Sequence, residues 1–333
     1  MKILVTGGNG NISWWFVQLA FEQGHDVYVI GRSFDKPTRR ELPIGVHKIV
    51  CDIRDFESTK KTLAGLHFDV VCDFICYNKE QARQAIELYR GKTDHYIFIS
   101  SEAIYKRETK FLPFKETTPI ADLETSGNYI KGKIEAEIEF KKAYELLNFP
   151  LTIIRPSFTY DTLMPTSIGF NCYTAVQRYR EDNIALVAGD GDNLWTFTHA
   201  RDFAHALLGL ILNKQSIGED YHITSDEWLT WMDATKIILD ALQLPNARIL
   251  NIPKHLILKD SFFGERDLLN QKMSHNIFNN IKIKKLLPEW SANISFANGV
   301  IETLKWLDEN PLRKRINPFL DNKIQELYDL GEY

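Results

Sequence analysis

A tyrosine and a lysine four residues apart, in the stretch "NYIKGKIEAE", have the types and the spacing that proton-transfer chemistry needs. On a helix, Tyr129 and Lys133 would lie on the same face. A free tyrosine has a pKa of about 10, so a nearby cation is needed before the phenol can exchange a proton near neutral pH. The ammonium group of Lys133 would favour the phenolate. The pair therefore predicts an acid/base catalyst, provided that the surrounding elements place it in a binding site.

The segment before this helix supplies two hydroxyl groups. "YIFISSEAIY" predicts a strand over residues 96–100 that brings Ser100 and Ser101 to its carboxyl end. Open α/β sheets bind their ligands at that edge. We therefore expect the serines and the Tyr129–Lys133 pair to meet there.

The start of the chain predicts a dinucleotide-binding loop. Gly8-x-Gly10-x-x-Ser13 follows a strand over residues 2–6 and opens a helix over residues 12–23. The glycines would let backbone N–H groups approach a pyrophosphate at the helix N-terminus. Ser13 replaces the third glycine of the usual pattern, so we expect slightly looser packing of the helix on the strand, with phosphate contact retained.

Strands and helices alternate along the first half of the chain. Apolar strands separated by helical stretches predict a parallel sheet covered on both faces. The fold class is therefore a doubly wound α/β sheet of the Rossmann type, with a smaller mixed C-terminal substrate lobe. We expect the dinucleotide-binding core over residues 1–165 and the lobe over residues 166–333, with residues 194–224 returning to the core. The further predicted strands cover residues 27–30, 47–51, 69–74 and 151–156, and the helices cover residues 56–64, 78–89 and 129–147.

Two residues beyond the glycine loop bear on the type of cofactor. NAD-binding loops usually carry an acidic residue about 20 residues past the glycines, to hold the ribose hydroxyl. Here Arg32 follows Gly31, and a guanidinium can pair with a 2′-phosphate, so NADP is favoured over NAD. The alternative is that Arg32 stacks on the adenine of either cofactor. Asp52, after the third strand, is expected either to accept from the adenine amino group or to cap a helix.

Composition excludes several other classes. The formal net charge is −4, which offers no concentrated positive charge for a nucleic-acid backbone. No apolar run is long enough for a transmembrane helix, and no signal peptide precedes the first strand, so we expect a cytoplasmic protein. No metal site is predicted. Buried reduced thiols are the expectation for the cysteines, which are Cys51, Cys72, Cys76 and Cys172.

Taken together and in this order, these motifs resemble the extended short-chain dehydrogenase/reductase family of NAD-dependent epimerases and dehydratases. A more distant similarity, notably in "DGDNLWTFTHARD", is to the chloroplast stem-loop RNA-binding proteins. The motifs that carry the family resemblance are "TGGNGNIS", "CDIRD", "DVVCDF", "ISSEAIY", "YIKGK", "IIRPSFTY", "GDGDNLWTFTHARDFAHALL" and "YHITSDEWLTW".

The resemblance implies hydride transfer between a carbinol carbon and a nicotinamide. Tyr129 would be the general acid/base, and Lys133 would lower its pKa and bind the nicotinamide ribose. Ser101 would hydrogen-bond the substrate oxygen. The positions expected to contact the cofactor are Gly7, Gly10, Asn11, Ile12, Arg32, Asp52, Ile53, Phe74, Ile75, Cys76, Tyr129, Lys133, Pro156, Ser157 and Phe158.

Four further residues are expected at the substrate: Tyr77, Glu102, Trp195 and His199. Dehydratases of this family carry an Asp-Glu pair after the catalytic serine or threonine, whereas this chain has Glu102-Ala103, so a reductase or epimerase is favoured. Trp195 stands where many relatives that bind UDP- or dTDP-sugars have an arginine. It therefore predicts a different substrate, one with an apolar face for the indole to cover. The alternatives are that Trp195 belongs to the core and that His199 is a structural residue beside a buried helix.

The favoured function is thus an NAD(P)-dependent oxidoreductase or epimerase that acts on a small molecule, and the chain is a candidate homodimer. One alternative is a non-catalytic NAD(P)-binding sensor or RNA-binding module, or a scaffold with a vestigial cofactor site. The other is a sugar-nucleotide epimerase or dehydratase. The complete serine, tyrosine and lysine set favours an enzyme, and the acidic net charge disfavours RNA binding.

Overall fold

The computed structural model describes residues 1–36, 38–169, 173–259 and 271–330. The strands in this part of the chain are β1 (Lys2–Thr6), β2 (Asp26–Gly31), β3 (His47–Val50), β4 (Phe68–Asp73), β5 (Thr93–Ile99), β6 (Leu151–Pro156), β7 (Phe158–Tyr160), β8 (Ile184–Ala188), β9 (Leu194–His199), β10 (Asp220–Ile223), β11 (Trp228–Thr230) and β12 (Arg248–Ile252). The α-helices are α1 (Trp14–Glu22), α2 (Phe56–Thr62), α3 (Lys79–Tyr89), α4 (Asn128–Leu147), α5 (Thr174–Asp182), α6 (Ala200–Ile211), α7 (Trp231–Ala241), α8 (Lys254–Lys259), α9 (Ile281–Leu286), α10 (Phe296–Asp308) and α11 (Pro318–Leu330).

Across the described ranges, a seven-stranded sheet forms the centre of the molecule, in the order β10-β6-β5-β4-β1-β2-β3. All of its neighbouring strands are parallel. The direction of winding reverses between β1 and β4, and a crevice opens at the carboxyl ends of the strands where this happens. The predicted doubly wound sheet is confirmed.

Burial on both faces explains why these strands read as apolar runs. Ile3 and Val5 of β1 belong to one hydrophobic cluster, which includes residues of α1 and α6. Leu4 belongs to another, which includes residues of α3 and α4. Alternate side chains of a strand point to opposite faces, so a strand sandwiched between two helix layers is apolar throughout.

The largest boundary difference from the sequence prediction among these elements is at β5, which begins at Thr93, three residues earlier than expected. Thr93 and His95 at its start are buried, and His95 Nε2 and Thr152 Oγ1 of β6 are 2.8 Å apart. A local hydrophobic pattern does not reveal such a polar pair, because the partner lies 57 residues away along the chain.

Smaller sheets lie in the second half of the chain. β9 pairs with β7 in parallel and with β11 in antiparallel orientation, and β8 pairs with β12 in parallel. Residues of β7, β9 and α7 share an aromatic core, in which the ring centroids of Trp195 and Trp231 are 5.1 Å apart. Within the segment 194–224, β10 joins the large sheet and α6 packs beside it, whereas β9 lies in the smaller sheet.

The thiols and the membrane expectation can be compared with the structure directly. Cys51, Cys72 and Cys76 are buried and free, while Cys172 lies outside the described residues. Burial raises the pKa of the Cys72 thiol well above its ordinary value. None of the described helices is both long enough and apolar enough to cross a bilayer.

A buried ion pair ties α4 to the sheet. Arg155, near the end of β6, donates to both carboxylate oxygens of Glu137 on α4, at 2.9 and 2.6 Å. The same guanidinium donates to Asp220 at 2.7 Å and to the hydroxyl of Tyr105 at 2.9 Å. Both side chains of the pair are 1% exposed, so each charge depends on partners inside the protein for its compensation.

Glu137→Ala should therefore strongly destabilise the fold. Loss of Glu137 leaves the buried Arg155 with the partly exposed Asp220 as its carboxylate partner, and removal of one partner of a buried ion pair costs about 3–5 kcal/mol. Glu139→Ala is the matched control, because Glu139 lies on the same helix and pairs with an exposed arginine, Arg83. That change should cost about 1 kcal/mol or less. Urea unfolding followed by circular dichroism measures both, and equal losses would contradict the role assigned to Glu137.

Candidate active site

A cavity of about 540 Å³ lies where the glycine loop, the carboxyl ends of the central strands and the start of α4 meet. It is lined by most of the residues that the sequence assigned to a cofactor or to catalysis: Gly7, Gly10, Asn11, Ile12, Arg32, Asp52, Ile53, Phe74, Ile75, Ser101, Tyr129, Lys133, Pro156 and Ser157. Tyr77, assigned to the substrate, also lines it. Five predicted site residues are not among its lining: Cys76, Glu102, Phe158, Trp195 and His199.

Lys133 is held rigidly at the base of this cavity. Its ammonium donates to the backbone carbonyls of Cys76, at 2.7 Å, and Ile99, at 2.8 Å. The side chain is buried, and burial lowers the pKa of Lys133 to about 8. An ammonium has three donors, so one remains for a ligand. Cys76 thus takes part through its carbonyl, while its buried thiol does not line the cavity.

Tyr129 lies in the first turn of α4, with 38% of its surface exposed. Burial of its hydroxyl raises the pKa of Tyr129 to about 12. A hydrogen bond with Ser101 acts in the opposite direction, and Tyr77 and Glu102 raise the pKa further. The ammonium of Lys133 donates to backbone carbonyls, and its expected effect on the pKa of Tyr129 stays a prediction. Burial by itself favours the protonated form of the phenol.

The two serines at the end of β5 have different surroundings. Ser101 Oγ accepts from the backbone N–H of Ala103 at 3.2 Å and is also bonded to Tyr129. Ser100 also lines the cavity, and its buried hydroxyl has no partner among the described residues. A buried polar atom without a partner calls for a ligand or a water molecule. The sequence placed Ser100 at this edge but assigned the contact to Ser101 alone.

The glycine loop depends on Ser13. The Ser13 hydroxyl donates to the Gly7 carbonyl at 2.6 Å and accepts from the Gly10 N–H at 2.9 Å. Gly7 has a φ of +73°, which a side chain would strain. The expected loosening at Ser13 is corrected, because this serine closes the loop with two hydrogen bonds. Close approach of helix and strand is instead required at Gly8, where a Cβ would lie within 2.9 Å of Val17 and Val29.

Asn11 joins the glycine loop to the segment that follows β7. Its amide N–H donates to the Thr159 carbonyl at 3.0 Å, and its oxygen accepts from the N–H groups of Asp161 and Thr162. The side chain is therefore occupied by the protein, which leaves the backbone of Asn11 to face the cavity. Its structural role is to fix the loop against the second half of the chain.

Asp52 is a turn residue at the cavity wall. Its carboxylate accepts from the backbone N–H of Arg54 at 3.1 Å. The N-cap of α2 is Asp55, whose carboxylate accepts from Ser58. The helix-cap alternative for Asp52 is therefore wrong, and its position beside Ile53 remains compatible with an adenine contact.

Besides Lys133, four cationic side chains line the cavity: Arg32, Lys36, Arg39 and Arg54. Within the described ranges, none of the four forms an ion pair with a carboxylate. The sequence analysis singled out only Arg32. The other three were missed because their loops follow β2 and β3, and only the tertiary structure shows over which surface a loop folds.

Residues far away in the chain hold the loop after β2 in place. Arg40 forms a two-bond ion pair with the buried Asp161, at 2.8 and 2.7 Å. The Trp14 indole donates to the Glu41 carbonyl at 2.7 Å. These contacts hold Arg39 beside the glycine loop, with a guanidinium nitrogen 3.6 Å from where a Cβ on Gly10 would lie.

Asp73, at the end of β4, shapes the turn that carries Ile75 and Cys76. One carboxylate oxygen accepts from both backbone N–H groups and from the hydroxyl of Thr6. The other accepts from Tyr96 at 2.6 Å. The sequence analysis missed this residue, although an acid at the end of an apolar strand is a recognisable signal.

Trp195 and Phe158 lie in the core of the smaller sheet. Trp195 is 3% exposed, and its indole N–H donates to the Ser274 carbonyl at 2.8 Å. The Phe158 ring lies 6.3 Å from the rings of both Trp195 and Trp231. The substrate role expected for Trp195 is corrected, because protein atoms cover its side chain, whereas Phe158 is partly exposed and its cofactor contact stays a prediction.

His199 and Glu102 are also structural. His199 is buried and caps α6, with Nδ1 accepting from the Arg201 N–H at 3.2 Å. Glu102 is buried in an ion pair with Arg107. Arg107 also donates to Asn276 at 2.6 Å. The two expected substrate contacts are corrected, because both side chains are buried and neither lines the cavity.

Comparison with known proteins identifies the family and the fold. The model of the NAD-dependent epimerase/dehydratase family matches residues 3–224. The chain belongs to this family. It is therefore an NAD-dependent enzyme of the epimerase/dehydratase type, and the family and enzyme class predicted from the sequence are confirmed.

Individual relatives are distant. The 41 kDa chloroplast stem-loop binding protein b of Arabidopsis thaliana is 23% identical, over 91% of this chain and 78% of its own length. The 2′-dehydrokanamycin reductase of Streptomyces kanamyceticus is 24% identical, over 74% of this chain and 68% of its own. An epimerase from Methanothermobacter thermautotrophicus is 18% identical, with a TM-score of 0.75 over 94% of each chain. At this identity the solved structure shows a shared fold.

Gly132→Ala should disturb the site through the backbone. A Cβ on Gly132 would lie 2.3 Å from the Tyr77 carbonyl oxygen, so α4 or the turn after β4 would have to move. The helix propensity of alanine, worth about 1 kcal/mol, acts in the opposite direction. We expect dinucleotide binding to weaken about tenfold, as for the loss of one charge-assisted hydrogen bond from Lys133.

Isothermal titration calorimetry with NAD(H) and NADP(H) checks this prediction. Lys131→Ala is the control, because Lys131 is an exposed neighbour on the same helix. Unchanged binding by Gly132→Ala would show that the approach of α4 to Tyr77 does not position Lys133.

Proposed function

We propose that this protein is an NADP-preferring oxidoreductase or epimerase that transfers a hydride at a carbinol or carbonyl carbon. The observation that carries the proposal is the meeting of Ser101, Tyr129 and Lys133 in one cavity with the glycine loop. When bound, the dinucleotide would supply the hydride donor or acceptor. The glycine loop and the start of α1 would hold its pyrophosphate.

The protein's own residues contribute the transfer of one proton to the reaction. In the reducing direction, the Tyr129 hydroxyl donates its proton to the carbonyl oxygen of the substrate. The phenol carries this proton at neutral pH, although burial, which raises the pKa of Tyr129 to about 12, makes it a weaker donor than a free tyrosine. Ser101, already bonded to Tyr129, orients the same oxygen, and the remaining donor of Lys133 orients the ribose.

The preference for NADP is supported by the charges along the cavity wall. Arg32, Lys36 and Arg54 line the cavity together with Gly31 and Asp52, near the expected position of the adenosine. Guanidinium groups recognise phosphate through paired, charge-assisted hydrogen bonds. Lys36 and Arg54 add to the argument made from Arg32 alone.

Reduction or epimerisation is favoured over dehydration. An elimination needs a free acid/base pair after Ser101, but Glu102 is paired with Arg107 and the next residue is Ala103. Substrates other than UDP- and dTDP-sugars remain favoured, because position 195 carries a buried tryptophan instead of an arginine. The neighbouring guanidinium of Arg107 is already bonded to Glu102 and Asn276.

A second candidate function is RNA binding without catalysis, favoured by the similarity to the Arabidopsis thaliana stem-loop binding protein over 91% of this chain. The net charge of −4 argues against it, because affinity for nucleic acid arises largely from neutralised phosphates. The retained Ser101, Tyr129 and Lys133 set supports the enzyme.

Tyr129→Phe should abolish turnover and leave dinucleotide affinity nearly unchanged. The phenylalanine removes the transferable proton, while the ring and Lys133 still line the cavity. A screen of uncharged carbonyl and alcohol compounds, with UDP-glucose and dTDP-glucose included, would first identify a substrate by the change in NAD(P)H absorbance. Wild-type turnover by the variant would refute Tyr129 as the acid/base, and dinucleotide binding without turnover of any compound would favour the non-catalytic alternative.

Arg32→Ala should reduce the preference for NADP over NAD at least about tenfold, because it removes a charge-assisted contact to the 2′-phosphate. The ratio of the two dissociation constants, measured by calorimetry, is the readout. Arg83→Ala is the control, because Arg83 lies on α3 and does not line the cavity. An unchanged ratio for Arg32→Ala would mean that the side chain only stacks on the adenine.

A further inference from the structure

A second, smaller cavity of about 180 Å³ lies between the loop after β2 and the segment after α10. Its walls include the aromatic residues Tyr173 and Trp306. It shares Arg39 and Leu163 with the cofactor cavity but contains none of Ser101, Tyr129 and Lys133. The two cavities are therefore neighbours with different linings.

The charged side chains that line this second cavity are all positive. Arg39, Arg313 and Arg315 line it, and no acidic side chain of the described residues does. Arg39 and Arg315 form no ion pair within the described ranges. Burial and, to a smaller extent, the positive charge of Arg315 lower the pKa of Arg39. These guanidinium groups repel each other without a counter-charge between them.

Arg313 is only partly satisfied by the protein. One terminal nitrogen donates to the Trp306 carbonyl at 2.6 Å and to Glu309 at 3.0 Å. Its Nε is buried and has no partner among the described residues. A guanidinium has five N–H donors in a planar fork, so a group with several acceptor oxygens would complete its bonding.

Nearby carboxylates are committed elsewhere. Asp161 is held by the two bonds from Arg40. Asp308 pairs with Arg180 at 2.9 Å and with Lys314 at 2.7 Å. Movement of either acid into the cavity would break these pairs, so neither Asp161 nor Asp308 is a spare counter-charge for it.

We propose that this cavity is an oxyanion site, separate from the dinucleotide, which binds the phosphate or carboxylate group of a second small molecule. Three guanidinium groups around a concave, partly apolar space, of which those of Arg39 and Arg315 form no ion pair among the described residues, recognise that chemistry. Its volume of about 180 Å³ has room for a phosphate group with a few attached carbon atoms, since one water molecule takes about 30 Å³ of the liquid. Because Arg39 faces both cavities, an anion here lies directly beside the cofactor.

Calorimetric titration of the full chain with inorganic phosphate tests the proposal, with acetate as a second arm that distinguishes carboxylate from phosphate. We expect saturable binding of at least one of these ions, both without dinucleotide and with saturating NADP. Arg315→Gln should weaken that binding about tenfold. Arg248→Gln is the control, because Arg248 is an exposed arginine outside both cavities.

Thr38→Glu provides an independent variant, since it places a carboxylate at the wall of the cavity and should abolish anion binding. Thermal unfolding of each variant verifies that it is folded. The proposal is overturned if neither ion binds saturably, if NADP displaces the ion completely, or if Arg315→Gln and Thr38→Glu bind it as the wild type does. None of these outcomes depends on turnover, so they are distinct from failure of the proposed oxidoreductase function.

Discussion

The buried contact between Arg155 and Glu137 is the constraint on which the catalytic geometry depends. It joins the end of β6 to the middle of α4, and α4 carries both Tyr129 and Lys133. A guanidinium and a carboxylate that meet by two bonds tolerate little rotation or sliding of the helix. Gly132 then allows α4 to approach the Tyr77 carbonyl, which brings the Lys133 ammonium to the carbonyls of Cys76 and Ile99.

A second set of long-range contacts holds the cofactor side of the cavity. Arg40 and Asp161 are 121 residues apart in the chain, and Asn11 bonds to residues around Thr159 at a similar separation. The segment after β7 therefore supports both the glycine loop and the loop after β2. One consequence is that cationic side chains of the loop after β2 line the cavity, while Arg40 and Asp161, which hold this loop, do not line it.

Burial decides the electrostatics of the site. It raises the pKa of Tyr129 and lowers that of Lys133, because removal from water disfavours whichever form is charged. The ammonium donates to two backbone carbonyls, and the carboxylates of Asp73 and Glu137 also favour its charged form. Glu102 follows the same rule, since burial raises its pKa while its ion pair with Arg107 acts in the opposite direction.

The sequence by itself determined the parallel sheet, the glycine loop and the approach of Ser101 to Tyr129 and Lys133. These features depend on apolar periodicity and on residues close together in the chain, so they can be predicted from the sequence. Only the tertiary structure decided that Trp195 and His199 are structural, and that Lys36, Arg39 and Arg54 join Arg32 at the cavity. The direction of a β9 side chain, or the surface that a loop crosses, is set by partners such as Ser274 and Asp161. Such partners lie far away in the chain, so a local sequence pattern does not indicate them.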